Sequence, residues 1–224
     1  MASINSLLAD MRKAGSFQDV KSKGDLGEEA VLAICYDRMK KTGSGLLYQS
    51  FMYPYQSNRA GVCYTGNVVY DTGTQTFKEY TDTSINDEID VLYVTPYRVF
   101  AIEVKSYHAR KLGVYDPWFN RENQPVEKSP VAQAEKHARH LYHAIYDVLP
   151  DGRPEYIVPM VCLVDRCKVI DERPDDQRDY IPVCILNSLL ATLNDYNVPL
   201  DYNLSIQHVE SKLKEISVSI KKAL

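Results

Sequence analysis

The stretch "IDVLYVTPYRVFAIEVK", residues 89–105, decides the fold because it holds two β-prone runs on either side of a turn. The runs at 89–94 and 99–104 consist mainly of β-branched, aromatic and other apolar residues, which favour strands. Pro96, in the intervening "TPYR", indicates the turn. We therefore predict a β-hairpin whose strands are largely buried.

Charged residues interrupt this apolar hairpin at its open end. With a four-residue loop, Val94 lies opposite Val99. Counting outward then places Asp90 opposite Glu103, and directly opposed residues share one face of a sheet, with Cβ atoms about 4.5–5.5 Å apart. Strand alternation adds Lys105 to the same face. The sequence thus predicts that two carboxylates and an ammonium gather at one point.

Two carboxylates held this close repel each other, and burial adds a desolvation cost. A divalent cation removes the difficulty, because Mg²⁺ binds carboxylate oxygens and keeps several waters, which leaves positions for a phosphate. Such an ion stabilises charge on a phosphoryl oxygen and activates a water, and Lys105 could orient that water or offset charge in the transition state. This pattern predicts half of a metal-dependent phosphodiesterase site. The competing interpretation is a simple salt bridge between Glu103 and Lys105, with Asp90 as a turn residue.

Three segments of the chain, taken in order and spacing, resemble one known family. They are "KGDLGEEAV" (23–31), "NDEIDVLYVTPYRVFAIEVKSY" (86–107) and "SPVAQAEKHARHL" (129–141). Together they resemble the nuclease-related domain (NERD) family of the PD-(D/E)xK, or restriction-endonuclease-like, nuclease superfamily, over roughly residues 22–170. The resemblance implies an α/β fold with a mixed, mainly antiparallel central β-sheet flanked by helices.

The resemblance also implies roles for the charged residues of the hairpin. Asp90 and Glu103 would be the principal metal ligands, with the backbone carbonyl of Val104 as a further ligand. Lys105 would be the catalytic lysine. The implied cofactor is Mg²⁺ or Mn²⁺. The implied activity is that of a nuclease that hydrolyses phosphodiester bonds, with DNA as the expected substrate.

A helix is predicted at residues 22–40, with acidic residues in its first turn and Gly43 just beyond its end. By the resemblance, Glu28 is the acid that this helix brings near the metal or its water shell. Glu29 is an alternative, because both acids lie in one helical turn and only the family pattern favours Glu28. Helix N-termini attract carboxylates in any case, through the macrodipole and the free N–H groups.

A second helix is predicted from an apolar stripe beginning at Ala134. The stripe consists of Ala134, Ala138, Leu141, Ile145, Val148 and Leu149. Gln133 lies on its flank with His137 and His140, whereas His143 lies on the opposite side. The three histidines therefore cannot form one metal site, and we interpret them as a polar face exposed to solvent, from which His137 or His140 could reach a phosphate. The resemblance implies that Gln133 supports the nuclease site.

The chain is predicted to have three regions. These are an N-terminal extension (1–21), a nuclease-like domain (22–190) with a β-hairpin insertion at about 52–88, and a C-terminal helical segment (191–224). The C-terminal segment predicts an amphipathic helix that packs on the domain or forms a homodimer. Its apolar positions are Ile206, Val209, Leu213, Ile216 and Ile220.

Further strands and a short helix are expected after residue 150. The runs "EYIVPMVCLVD" (155–165) and "DYIPVCIL" (179–186) are predicted to extend the central sheet. The run "NSLLATLNDY" (187–196) is predicted to form a helix.

The composition indicates a soluble, cytoplasmic protein. The 224 residues carry a net charge of −4, so any contact with nucleic acid must be local. The five cysteines include no Cys-x-x-Cys pair, which favours reduced thiols. No apolar run approaches the roughly 20 residues that span a bilayer, so we expect no membrane partner. The alternative to a nuclease is a catalytically silent module on the same scaffold that binds nucleic acid or protein.

Overall fold

The predicted hairpin lies at the centre of a six-stranded sheet. The computed structural model describes residues 20–54, 57–59, 62–64, 68–71, 76–79, 86–105, 111–112, 118–119, 129–164, 170–217 and 219–222. Most of the N-terminal extension expected at residues 1–21 lies outside these residues.

The helices and strands are numbered in chain order. The strands are β1 (Leu46–Pro54), β2 (Ser57–Arg59), β3 (Val62–Tyr64), β4 (Val68–Asp71), β5 (Thr76–Glu79), β6 (Asn86–Val94), β7 (Val99–Lys105), β8 (Lys111–Leu112), β9 (Trp118–Phe119), β10 (Ile157–Leu163), β11 (Ile170–Asp171), β12 (Val183–Ile185) and β13 (Ser219–Lys222). The α-helices are α1 (Val20–Thr42), α2 (Pro130–Ile145), α3 (Asp175–Tyr180), α4 (Leu189–Tyr196) and α5 (Ile206–Ile216). Single 3₁₀ turns lie at Tyr146–Val148, Pro150–Gly152, Pro154–Tyr156 and Leu186–Ser188.

The central sheet has the strand order β12-β10-β7-β6-β1-β13. Strands β12, β10 and β7 run parallel, whereas the β7–β6, β6–β1 and β1–β13 pairs are antiparallel. The sheet is therefore mixed and mainly antiparallel, as predicted. β10 and β12 are the strands expected in the runs 155–165 and 179–186.

Helices cover both faces of this sheet. One apolar cluster joins α1 and α4 to one face, and another joins α2 and α5 to the opposite face. Along β7, Phe100 and Ile102 pack towards α1, whereas Val99 and Ala101 pack towards α2. This alternation assigns Glu103 to the α2 side. The α/β architecture agrees with the restriction-endonuclease-like fold.

α1 begins two residues earlier than predicted, and its first turn contains no acidic residue. Glu28 and Glu29 lie in its third turn, so the expectation of first-turn acids was wrong. The helix ends at Thr42, two residues later than predicted, and Gly43 follows it in the left-handed region at φ 72°, with its N–H bonded to Met39 O at 2.9 Å.

α2 follows the predicted apolar stripe. The side chain of Ser129 caps the helix by accepting a hydrogen bond of 3.2 Å from Ala132 N, and Pro130 occupies the first turn. The stripe residues Ala134, Ala138, Leu141 and Ile145 are buried in α2, whereas the predicted stripe residues Val148 and Leu149 lie beyond its end. The histidines differ from the prediction, because His140 is buried while His143 is exposed.

The insertion is narrower than expected. Residues 52–54 pair with 86–88 in the β1–β6 ladder, so these ends belong to the central sheet and not to an insertion beginning at 52 and ending at 88. Between them, β4 and β5 pair antiparallel around the turn-rich "DTGTQ".

The C-terminal helix is shorter than expected. α5 ends at Ile216, and Ile220 lies in β13, which pairs with β1 at the sheet edge. Val209 and Leu213 are fully buried in the cluster on the α2 face, so the apolar stripe of α5 packs on its own domain. A homodimer through the remaining face of α5 stays a prediction.

Cys35, Cys162 and Cys184 are free and buried. The side chains of Cys63 and Cys167 lie outside the described part of the chain. Among the helices that the structure describes, none combines the length and apolarity needed to cross a bilayer.

Candidate active site

The hairpin register follows the count made from the sequence. Val94 pairs with Val99 across the four-residue turn, and the ladder continues as far as the pair Val91–Ile102. The next opposed positions in this register are Asp90 and Glu103. The predicted register of the hairpin is therefore confirmed up to the neighbours of the two acids.

Simple strand alternation breaks at Asp90. Val91 packs in the cluster on the α1 side, but Ile89, two residues away, packs in the cluster on the α2 side. In the neighbouring strand β1, Ser50 lies between the pairs Gln49–Val91 and Phe51–Ile89 and has a positive φ of 47°. The regular alternation that we predicted through Asp90 is therefore wrong, and this acid lies at an irregular point of the sheet.

Asp90 reaches across to β7. Its Oδ2 accepts a hydrogen bond of 2.7 Å from the backbone N–H of Val104. The backbone of Lys105 faces the other neighbour, since Lys105 O accepts from Val164 N in the β10 direction at 3.0 Å. Because backbone groups of successive strand residues point to opposite neighbours, both the N–H and the C=O of Val104 face the Asp90 side. The carbonyl that the resemblance names as a ligand thus faces the strand that carries Asp90.

Glu103 is almost fully buried, with 3% of its surface exposed. Its Oε1 is in ion-pair contact with Lys105 Nζ, and the Lys105 side chain is 23% exposed. Its Oε2 lies 3.3 Å from His137 Nδ1. Within the described residues, no hydrogen bond of good geometry reaches Oε2. A buried acceptor in this state is costly unless another group, such as a cation, binds it.

The two carboxylates differ in their acidity. The pKa of Asp90 is raised from 3.8 to about 7, chiefly by burial and also by the charges of Glu103 and Glu28, while the Val104 N–H and Lys105 act in the opposite direction. Burial also acts to raise the pKa of Glu103, but the contacts with His137 and Lys105 outweigh it and the pKa lies below its ordinary value. Of the two carboxyl groups, it is therefore Asp90 whose charged form is disfavoured at this site.

Glu28 approaches the site from α1. Its side chain is half-buried, and Gln49 Nε2 donates a hydrogen bond of 3.2 Å to its Oε2. Its charge raises the pKa of Asp90, whereas Glu29 is exposed on the helix surface. Of the two acids left open by the sequence, Glu28 is the one directed towards the sheet.

Gly27 allows this close approach of α1. A Cβ at Gly27 would lie 2.9 Å from Val164 Cγ2 and 3.5 Å from Val104 Cγ1. The helix backbone is therefore packed directly against the residue that follows Glu103 in β7.

Gln133 lies in the first turn of α2 and is half-buried. Within the described residues, its side chain makes no hydrogen bond to Asp90, Glu103 or Lys105. The structure thus places Gln133 on the helix that covers the site but records no direct contact with the hairpin acids.

Comparison with protein families identifies the region that holds the hairpin acids. The model of the nuclease-related domain family matches residues 67–164. Over this region, which is less than half of the chain, the protein is similar to the nuclease-related domain family. The match includes Asp90, Glu103, Lys105 and Gln133, and it confirms the resemblance noted in the sequence. No curated protein and no solved structure matches the chain.

The donor chemistry of the candidate site fits a hard divalent cation. Asp90, Glu103 and the Val104 carbonyl supply only oxygens, which Mg²⁺ and Mn²⁺ prefer. Such a cation would offset the burial and the charge repulsion that raise the pKa of Asp90, and it would give the buried Oε2 of Glu103 a partner. Within the described ranges, no three His, Cys, Asp or Glu side chains come together as a metal-holding group.

Two residues contact the acids of the candidate site in ways that the sequence did not predict. His137, which we assigned to a solvent-exposed face, is only 12% exposed and lies beside Glu103. Its position on the Gln133 flank of α2 was a usable signal. Gln49 contacts Glu28 but lies in β1, and a lone glutamine in a strand carries no signal of such a contact.

Proposed function

We propose that the nuclease-related domain is a divalent-metal-dependent nuclease that hydrolyses phosphodiester bonds in DNA. The observation that carries the proposal is the buried Glu103, with a half-buried Asp90 and the Lys105 ammonium beside it. Acids that repel one another in a protein interior destabilise the fold unless they serve a bound cation. The choice of DNA comes from the family resemblance.

Asp90, Glu103 and the Val104 carbonyl would hold Mg²⁺ or Mn²⁺. When bound, the ion supplies charge stabilisation at a phosphoryl oxygen and makes a water more acidic. Glu28, oriented by Gln49, supports the same site from α1. In this proposal Asp90 and Glu103 bind the ion directly, whereas Glu28 acts through its charge.

Lys105 acts on the substrate from beside Glu103. Its ammonium contacts Glu103 Oε1 but stays partly exposed, so it can also donate hydrogen bonds to phosphate oxygens. In the hydrolysis, a water oxygen bonds to phosphorus, the bond from phosphorus to the leaving oxygen breaks, and a proton passes to that oxygen. Lys105 offsets the negative charge that develops on the phosphoryl oxygens. Gln133 would support the site from α2.

The cellular setting that we propose is the cytoplasm. The buried free thiols Cys35, Cys162 and Cys184 suit a reducing compartment. The net charge of −4 excludes a field that would hold the whole protein on nucleic acid, so contact with DNA depends on local groups near the site.

Cleavage assays test the proposal. Wild type, Glu103→Gln and Lys105→Met are incubated with supercoiled plasmid, linear DNA and RNA in Mg²⁺, Mn²⁺ or EDTA. We expect metal-dependent cleavage by wild type and its loss in both variants. The matched control is Glu155→Gln, because Glu155 is an exposed acid of the 3₁₀ turn that precedes β10.

Failure of wild type to cleave any of these substrates in any divalent ion would refute the nuclease. The silent binding module is then tested with fluorescently labelled DNA and RNA, by anisotropy in the presence and absence of Mg²⁺. Unchanged cleavage by Glu103→Gln would equally refute the assignment of the site.

A further inference from the structure

A second buried carboxylate lies in β6, three residues before Asp90. Asp87 is 6% exposed, its Oδ1 accepts a hydrogen bond of 2.9 Å from Lys136 Nζ, and its Oδ2 is in contact with His140 Nδ1. Lys136 and His140 lie four residues apart on α2, so they project from the same side of the helix. One carboxylate thus binds two side chains on one turn of α2.

The neighbouring strand holds the same turn through its backbone. Tyr53 pairs with Asp87 across the β1–β6 ladder and is fully buried. Its hydroxyl donates a hydrogen bond of 3.0 Å to the carbonyl oxygen of His137. Adjacent positions of two strands therefore fix both the side chains and the backbone of residues 136–140.

His137 lies within the turn formed by residues 136–140 and contacts the proposed metal ligand Glu103. Its Nδ1 is 3.3 Å from Glu103 Oε2. Successive helical residues are about 100° apart, so fixing the direction of Lys136 and His140 also fixes the direction of His137. A rotation of α2 that released Asp87 would turn His137 away from Glu103.

Stability alone does not account for the contacts of Asp87. Burial acts to raise the pKa of Asp87, but the hydrogen bonds with His140 and Lys136 bring it below its ordinary value. A buried ion pair is often no more stabilising than apolar residues of similar volume, although its hydrogen bonds impose a direction that apolar packing does not. Asp87 faces the apolar cluster that holds α2, where apolar contacts are plentiful.

We propose that Asp87 is a positioning residue of the nuclease site, which sets the rotation of α2 and so keeps His137 against Glu103. This inference rests on the proposed nuclease function for its catalytic part. Asp87 itself does not contact the substrate. It acts through His137.

A double-mutant cycle tests the catalytic part. DNA cleavage with Mg²⁺ is measured for Asp87→Asn, His137→Gln and the double variant. We expect each single variant to lower kcat by roughly 10- to 100-fold with little change in KM, since misplacement of a site group by about 1 Å has effects of this size. The double variant should be no slower than His137→Gln. Multiplied losses in the double variant would overturn the proposal.

Matched variants separate positioning from folding. Asp147→Asn removes an ion pair of 3.0 Å with Lys212 away from the site and should leave kcat unchanged. Lys136→Met removes one of the two Asp87 contacts at a half-exposed residue and serves as the second variant if Asp87→Asn does not fold. Its kcat should also fall, and a kcat equal to wild type would contradict the proposal.

A second readout does not depend on cleavage. The imidazole ¹⁵N and ¹H NMR signals of His137 are recorded in metal-free wild type, Asp87→Asn, Glu103→Gln and Asp147→Asn. We expect the His137 signals to move in the first two variants and not in the last. Unmoved signals in Asp87→Asn would overturn the positioning role. Absence of cleavage by wild type would refute only the nuclease, so the two failures are distinguishable.

Discussion

The carboxylate of Asp90 accepts a 2.7 Å hydrogen bond from the backbone N–H of Val104. This hydrogen bond lies just beyond the pair Val91–Ile102, the last pair of the β6–β7 ladder on this side. It ties Asp90 to the segment that carries Glu103 and directs it across the sheet. The position of the Asp90 carboxylate relative to β7 is therefore fixed, although the strand alternation is broken at Asp90.

The first prediction concerns stability and pH in the absence of metal. The pKa of Asp90 is raised from 3.8 to about 7 in the folded protein, so the neutral form is favoured by folding. Its contribution to stability is fully present below pH 4 and is lost as the pH rises through about 7. Each pKa unit corresponds to about 1.4 kcal/mol, so the loss is at most about 4 kcal/mol.

Asp90→Asn removes this loss and keeps an acceptor for the Val104 N–H. We expect the variant to gain free energy of unfolding relative to wild type between pH 5 and pH 8, as measured by urea denaturation in EDTA. Asp147→Asn, an exposed acid for which we expect no such gain, is the control. A difference between Asp90→Asn and wild type that stays constant over this pH range would contradict the prediction.

The hairpin and its register could be predicted from the sequence because their signals are local. Pro96 indicated the turn, the apolar runs indicated the strands, and counting from the turn fixed which residues oppose each other. The helix stripe of α2 was equally accessible, since a periodic pattern determines the face that is buried.

The features that were missed depend on distant partners. Asp87 precedes the apolar run, and aspartate is a residue type common in loops. It is nevertheless buried, because Lys136 and His140 contact it from a helix far along the chain. Ser50 has a positive φ that its residue type does not indicate. Ile220 continued the helical spacing, yet the chain pairs with β1 at that point.

The second prediction concerns Lys105. Lys105→Met keeps a long apolar stem but removes the ammonium from Glu103 Oε1. We expect cleavage of DNA to fall by roughly 10²- to 10⁴-fold, the usual effect of losing a group that acts on the reacting atoms. Binding of Mn²⁺, measured by calorimetry, should be retained because the variant removes a competing cation.

Lys214→Met is the matched control, since Lys214 forms an exposed ion pair with Glu210 on α5. Its cleavage should equal that of wild type. If Lys105→Met cleaved within about threefold of wild type, Lys105 would have no role in the chemistry.

The third prediction concerns the packing of α1. Gly27→Ala introduces a Cβ about 2.9 Å from Val164 Cγ2, and the β-branched valine cannot move aside without repacking. We expect the free energy of unfolding to fall by roughly 1–2 kcal/mol in spite of the better helix propensity of alanine. In a Val164→Ala background the same change should be neutral or stabilising. Equal effects of Gly27→Ala on the free energy of unfolding in both backgrounds would show that the contact with Val164 does not cause the loss of stability.

The fourth prediction separates the two adjacent acids of α1. Glu28 is half-buried, accepts from Gln49 and interacts with Asp90, whereas Glu29 is exposed. Glu28→Gln should therefore lower the rate of metal-dependent DNA cleavage by about tenfold or more, because it removes a charge next to the proposed metal ligands. Glu29→Gln, one residue away on the same helix, should cleave at the wild-type rate. The comparison uses single-turnover rates at saturating Mg²⁺, so that weaker metal binding does not mask an effect on the chemistry. The reverse order of effects would mean that α1 is rotated by about one residue in the active protein.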